Sequence, residues 1–117
     1  MTDAITASAR ANTLVYPIRF YDQEVFKFQV PSPALDNLIA GKKTLEKIAK
    51  DTGGAMYEVS GARSLENNFD RVQEELRTQY SLGYTPTAGR AGYRKLRVTV
   101  KPRGLTVQAR DGYFASE

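Results

Sequence analysis

Cysteine, histidine and tryptophan are all missing from this 117-residue chain. Without cysteine there is no disulfide, no thiolate nucleophile and no sulfur-bearing metal site. Without histidine the usual general base near neutral pH and the commonest metal ligand are gone too. Long apolar runs are also lacking. Mean hydropathy is −0.47, and no stretch approaches the roughly 20 apolar residues a transmembrane helix needs. Met1-Thr2-Asp3-Ala4 has neither the basic start nor the apolar run of a signal peptide. Much catalytic chemistry and any membrane partner are therefore disfavoured.

What is present is ordinary for a globular chain, with 41% hydrophobic and 26% charged residues. A mass of 13.0 kDa leaves room for one core, so residues 1–117 are expected to form a single domain. The charge is uneven. Residues 1–62 carry seven Lys/Arg and seven Asp/Glu, whereas residues 87–117 carry seven against two. A basic C-terminal segment attracts acidic partners or nucleic acid, but a positive hairpin edge is also a common route to solubility.

Along the chain, Asp3 to Ala11 reads as a helix capped by Thr2 or Asp3, with Asn12 as a left-handed exit. Thr13 to Phe20 reads as a buried strand, with Pro17 placing it at an edge or bulge. Residues 21–41 are less defined. Phe26, Phe28 and Val30 alternate, which allows a short strand over Val25–Val30, and Ser32-Pro33 starts a short helix that Gly41 separates from the next. Leu45, Ile48 and Ala49 mark a helix from Lys43 to Thr52, ended by Gly53-Gly54. Ala55 to Ser60 is a second strand. Ser64 then caps a helix whose stripe is Leu65, Phe69, Val72 and Leu76. Tyr80 to Tyr84 is expected as a strand stopped by Pro86. Leu96–Val100 and Leu105–Ala109 form a hairpin turning at Lys101-Pro102-Arg103-Gly104, apolar on one face and basic on the other.

Candidate chemistry is sparse. Asp51-Thr52-Gly53 matches the aspartic-protease triplet, but it follows the helical Leu45-Glu46-Lys47-Ile48-Ala49-Lys50 rather than a strand, so it reads as a helix end. Glu74 and Glu75 are adjacent and diverge on a helix, with Glu75 expected to pair with Arg71 on the surface. The glycines form no phosphate loop, and no Asp/Glu pair has metal-ligand spacing. No catalytic residue, metal ligand or cofactor is expected. The residues left for binding are Tyr93, Arg94, Lys95, Arg97, Lys101, Arg103 and Tyr113, where tyrosines beside arginines could stack on bases but at strand positions more often pack.

Gln73-Glu74-Glu75-Leu76-Arg77-Thr78-Gln79-Tyr80-Ser81-Leu82-Gly83-Tyr84-Thr85-Pro86 resembles a bacterial, acidobacterial-type family of von Willebrand factor A-like proteins, whose C-terminal half carries an ELRxQYxLGYxP helix end, a basic hairpin and an aromatic tail. Ala11–Ile18, Leu45–Gly54 and Gly104–Phe114 extend the resemblance over nearly the whole chain except residues 21–41. It implies an α/β fold, a partial doubly wound, Rossmann-like half-domain over residues 1–86, followed by the basic hairpin and aromatic tail over 87–117. The family's metal-binding DxSxS motif would lie upstream and does not occur here, so no metal residue carries over. The function this implies is a non-enzymatic, metal-independent protein-interaction module with a protein partner, expected as a homodimer. The alternative is a weak single-stranded nucleic-acid binder using the basic hairpin face.

Overall fold

Two helices close by the same device, and it fixes where the chain goes next. The computed structural model describes residues 2–20, 33–87 and 91–115. Helix α1 spans Thr2–Arg10 and α2 spans Pro33–Thr52. After α1, Asn12 takes the left-handed conformation at φ 54°, Thr13 N–H donates to Ser8 O at 3.0 Å and Asn12 N–H to Ala9 O at 3.3 Å. After α2, Gly53 does the same at φ 86°, with Gly54 N–H on Ala49 O at 2.9 Å and Gly53 N–H on Lys50 O at 3.2 Å. Both are Schellman closures, satisfying carbonyls that the helix leaves open. Gly54 also lies so close to the Val15 carbonyl that any β-carbon would collide with it. The Asn12 exit and the Gly53-Gly54 stop are as expected from the sequence. Gly41 does not break the helix: α2 runs unbroken through it, because one interior glycine costs only about 1 kcal/mol and helix formers surround it.

Strands β1 (Ile18–Phe20) and β2 (Tyr57–Val59) pair in parallel, Ile18 with Tyr57, Arg19 with Glu58 and Phe20 with Val59. Both are shorter than the expected Thr13–Phe20 and Ala55–Ser60. The chain before β1 is engaged elsewhere: Val15 N–H donates to the Thr52 hydroxyl at 3.1 Å. Pro17 has no N–H to give, and its carbonyl accepts from Tyr57 N–H at 2.9 Å just where the ladder starts.

Helix α3 (Ala62–Arg77) covers β2 from one side. Alternation in β2 buries Tyr57 and Val59 and leaves Glu58 outward. Asn68 on α3 donates to the Glu58 carbonyl at 3.1 Å. On the outward face, Lys42 of α2 reaches the Glu58 carboxylate at 3.2 Å. Ser64 is not the cap. The helix starts at Ala62 behind Gly61 without a side-chain cap, and Leu65 N–H on Gly61 O at 3.2 Å closes a first turn that already contains Ser64.

The hairpin forms, but its ladder is displaced. Strands β3 (Gly92–Lys95) and β4 (Gly112–Ala115) pair antiparallel, Tyr93 opposite Phe114 and Arg94 opposite Tyr113. Leu96 N–H on Asp111 O at 2.8 Å adds one more backbone bond. Beyond it the expected strands Leu96–Val100 and Leu105–Ala109 make no ladder, although the turn falls at residues 101–104 as expected. The returning arm is drawn to the end of α2 instead: Gln108 donates to Gly53 O at 3.1 Å and Asp111 N–H to Asp51 O at 3.2 Å. Helix α1 packs on α2 and on β4, with the Arg10 guanidinium 4.8 Å above the Phe114 ring. Tyr80–Tyr84 is exposed and is no strand. The strand expected over Val25–Val30 lies outside the described residues.

The result is a mixed α/β chain of three helices with small sheets among the described residues. Its buried apolar core there is Ala49, Tyr57 and Val59. The chain measures 56 × 30 × 28 Å and its radius of gyration is 17.5 Å, against about 13 Å for a compact chain of this length. It exposes 9533 Å², about half as much again as a folded monomer of this mass normally does.

Candidate interaction surface

A polar knot holds the α3 side of the sheet to the hairpin. The Tyr57 hydroxyl donates to the Glu75 carboxylate by a short bond, and Gln108 donates to its other oxygen at 3.2 Å. The Arg71 guanidinium sits 5.5 Å above the Tyr57 ring. Glu75 therefore takes its bonds from Tyr57 and Gln108 rather than forming the expected ion pair with Arg71. Burial, then the Glu75 bond and charge, push the Tyr57 hydroxyl up to about 12. Tyr16 is raised by burial first and by the Glu75 charge next. A carboxylate facing two neutral phenols is an acceptor in a structural bond network, and it holds three elements together.

The seven residues expected to form the binding face divide between two faces of the hairpin. Ladder pairing puts Tyr93 and Phe114 on one side, with ring centres 5.2 Å apart, and Arg94 and Tyr113 on the other. Tyr113 meets Tyr84 edge-on, the hydroxyls 2.9 Å apart, and Arg94 donates to the Thr87 carbonyl at 3.3 Å. Lys95 lies 3.9 Å from Asp111. Arg97, Lys101 and Arg103 are exposed on the open arms, and no ion pair engages them among the described residues. The structure thus brings Arg97, Lys101 and Arg103 to one projecting segment and uses Tyr93, Arg94 and Tyr113 in packing.

A cleft of about 420 Å³ opens between α1, α2 and the hairpin, lined by Ile5, Ala9, Lys47, Asp51, Tyr93 and Phe114. Asp111 also reaches it. Lys47 holds Asp51 at 2.6 Å, and this bond raises the lysine pKa. Among the described residues no three carboxylates converge as a metal site would require. The Asp51-Thr52-Gly53 triplet closes α2, and its threonine is buried in backbone bonds to Ile48 O at 2.8 Å and from Val15 N–H.

The apolar surface is where the sequence reading missed most. Phe20 is 72% exposed although its ladder partner Val59 is 1% exposed. Helix α3 covers the β2 column and leaves the Phe20 end of β1 uncovered, while Ile18 beside Tyr57 is half-buried. The stripe expected to be core is rotated: Leu65, Asn68, Val72 and Glu75 face inward while Phe69 and Leu76 are about half exposed. Asn68 was the readable signal, since it shares the inward arc with Leu65 and Val72 by three- and four-residue spacing. On the open arms Val98, Val100 and Leu105 are also exposed. No described helix is long and apolar enough to cross a membrane. No protein-family model, curated protein or solved structure matches the chain.

Proposed function

We propose that this chain is a non-enzymatic protein-interaction module, the C-terminal half of a von Willebrand factor A-like domain, whose apolar faces are completed by a protein partner that includes a second copy of itself. The observation that carries the reading is Phe20, 72% exposed at the end of β1, set in a chain with far more surface than its mass calls for. Large apolar side chains are exposed elsewhere too, at Phe69, Leu76, Leu82, Val100 and Leu105, and apolar surface in excess of what a monomer normally shows marks association sites. The parallel β1–β2 pair, joined through α2 and flanked by α3, supports the half-domain reading. So does the stretch from Gln73 to Pro86, with its ELRxQYxLGYxP pattern. Binding here needs neither metal nor cofactor, because what is offered is sheet edge, aromatic surface and fixed charge.

A photoreactive benzophenone side chain in place of Phe20 tests this in cells producing the full chain. Discrete protein adducts from position 20, and none from the same group at exposed Gln73, are the expected result. Loss of any protein adduct, with submicromolar single-strand binding that Arg94→Glu with Arg97→Glu abolishes, would overturn it in favour of the nucleic-acid reading.

A further inference from the structure

The outer face of α3 carries an acidic ridge. Glu66, Asp70 and Glu74 recur every four residues and so line one side of the helix. All three are exposed, and among the described residues none of them has an ion-pair partner. Phe69 and Leu76 stand beside this ridge, 55% and 48% exposed. Glu66 and Phe69 are three apart, hence neighbours on the helix surface. The hairpin arms present the complement. Val98, Val100 and Leu105 expose apolar surface, alternating along the arms with the unengaged Arg97, Lys101 and Arg103.

Resting on the reading of the chain as an interaction module, but on a surface other than Phe20, we propose that two copies form a closed dimer in which each hairpin arm lies on the outer face of the other copy's α3. The arm's apolar side covers Phe69 and Leu76. The long stems of Arg97, Lys101 and Arg103 carry their charges past the arm's edge to the carboxylate ridge. Charge complementarity selects a second copy, because hairpin against hairpin repels and ridge against ridge repels, whereas ridge against hairpin attracts. A copy's own arm cannot make this contact. It is pinned through Gln108 to Gly53 and to Glu75, and Glu75 lies on the sheet-facing side of α3, away from the ridge. Reciprocity gives two identical contacts and a closed assembly rather than a filament. The area fits: obligate dimers bury about 1,000–2,500 Å² per chain, within the roughly 3,000 Å² by which this chain exceeds a compact monomer.

Sedimentation velocity of the full chain at micromolar concentration decides it. The expected species is a dimer of about 26 kDa, twice the 13.0 kDa chain, loosening as salt rises. Reversing the ridge (Glu66→Arg, Asp70→Arg, Glu74→Arg) or the arm (Arg97→Glu, Lys101→Glu, Arg103→Glu) should each weaken it by about tenfold or more. Carrying both sets in one chain should restore it, and circular dichroism checks that each variant folds. Failure of the double set to restore, or a dimer indifferent to both reversals, overturns this contact. A monomer at every concentration overturns the dimer altogether, and protein adducts at position 20 then still support the interaction reading with a different partner.

Discussion

The backbone N–H of Val15 donates to the Thr52 hydroxyl at 3.1 Å, and that hydroxyl donates onward to the Ile48 carbonyl at 2.8 Å. One buried side chain thus ties the end of α2 to the segment leading into β1. Replacing it with valine keeps the volume and leaves a part-buried N–H without its acceptor, which costs about 1–3 kcal/mol. Thr52→Val is expected to lower the unfolding free energy by that amount, read as a lower urea midpoint at unchanged slope, while Thr52→Ser, which keeps the hydroxyl, is expected to lose less. Equal midpoints for wild type and Thr52→Val would show that the bond contributes nothing.

Tyr57 gives an alkaline signature. Its hydroxyl is pushed up from 10.0 to about 12 by burial, then by the bond and charge of Glu75. A raised folded pKa means the neutral phenol is the form that folding favours. That stabilisation is complete below pH 10 and is lost as pH climbs through about 12. Tyrosinate absorbance of the folded chain should therefore show a late component that Tyr57→Phe removes. Glu75→Gln should move it only part of the way back, because burial remains. Identical titration of wild type and Tyr57→Phe would contradict this.

Glu58 gives the acidic counterpart. Its carboxyl is held below 4.5 by the Arg19 bond first and the Lys42 bond second, at 2.6 Å and 3.2 Å. A depressed folded pKa contributes stability that is present above pH 4.5 and is lost as pH falls through the lower folded value. Urea midpoints measured from pH 6 downward should fall less steeply for Glu58→Gln than for wild type. The effect is small because the pair is partly exposed and solvent screens it.

Cation binding should be negligible. Asp51 is held by Lys47 and Asp111 lies near Lys95, whereas calcium needs about six to eight oxygens and magnesium a strict octahedron. Calorimetric titration with Ca²⁺, Mg²⁺ or Mn²⁺ should give no saturable heat. A dissociation constant in the low micromolar range would refute this.

Local signals carried the backbone plan. The left-handed Asn12, the Gly53-Gly54 stop and the turn at residues 101–104 each follow from conformational preferences of one or two residues. The misses were decided by tertiary partners. Thr13–Pro17 has strand composition, yet Thr52 takes its Val15 N–H before a ladder can. Phe69 and Leu76 have core composition, yet α3 turns Asn68 inward to reach the Glu58 carbonyl and leaves them outside. The tyrosines of the hairpin also find partners far along the chain. Tyr93 and Tyr113 sit on opposite faces of the ladder, each meeting a different ring edge-on, Phe114 and Tyr84. No pairwise propensity contains those contacts, because the partners lie 10 to 37 residues away along the chain.

The free basic residues set the size of any nucleic-acid affinity. Of the described hairpin cations Arg94 is bonded to the Thr87 carbonyl, Arg110 to the Asn12 side chain, and Lys95 lies near Asp111, which leaves Arg97, Lys101 and Arg103 for phosphates. Three contacts on a single strand give a logarithmic salt slope of about −2. Tyrosines that could add base stacking are already in edge contacts, Tyr93 with Phe114 and Tyr113 with Tyr84, although Tyr93 stays half exposed. Each stack would otherwise be worth about 1–3 kcal/mol, so their loss separates weak electrostatic contact from a functional binder. Fluorescence anisotropy with a labelled oligothymidine should show binding weaker than micromolar at physiological salt, unchanged by base composition. If the arm is instead covered by α3 of a second copy, then Arg97→Glu with Lys101→Glu should break the dimer and remove most of this weak residual binding as well. Submicromolar, salt-resistant binding abolished by the same pair of changes would make nucleic acid the ligand of the hairpin.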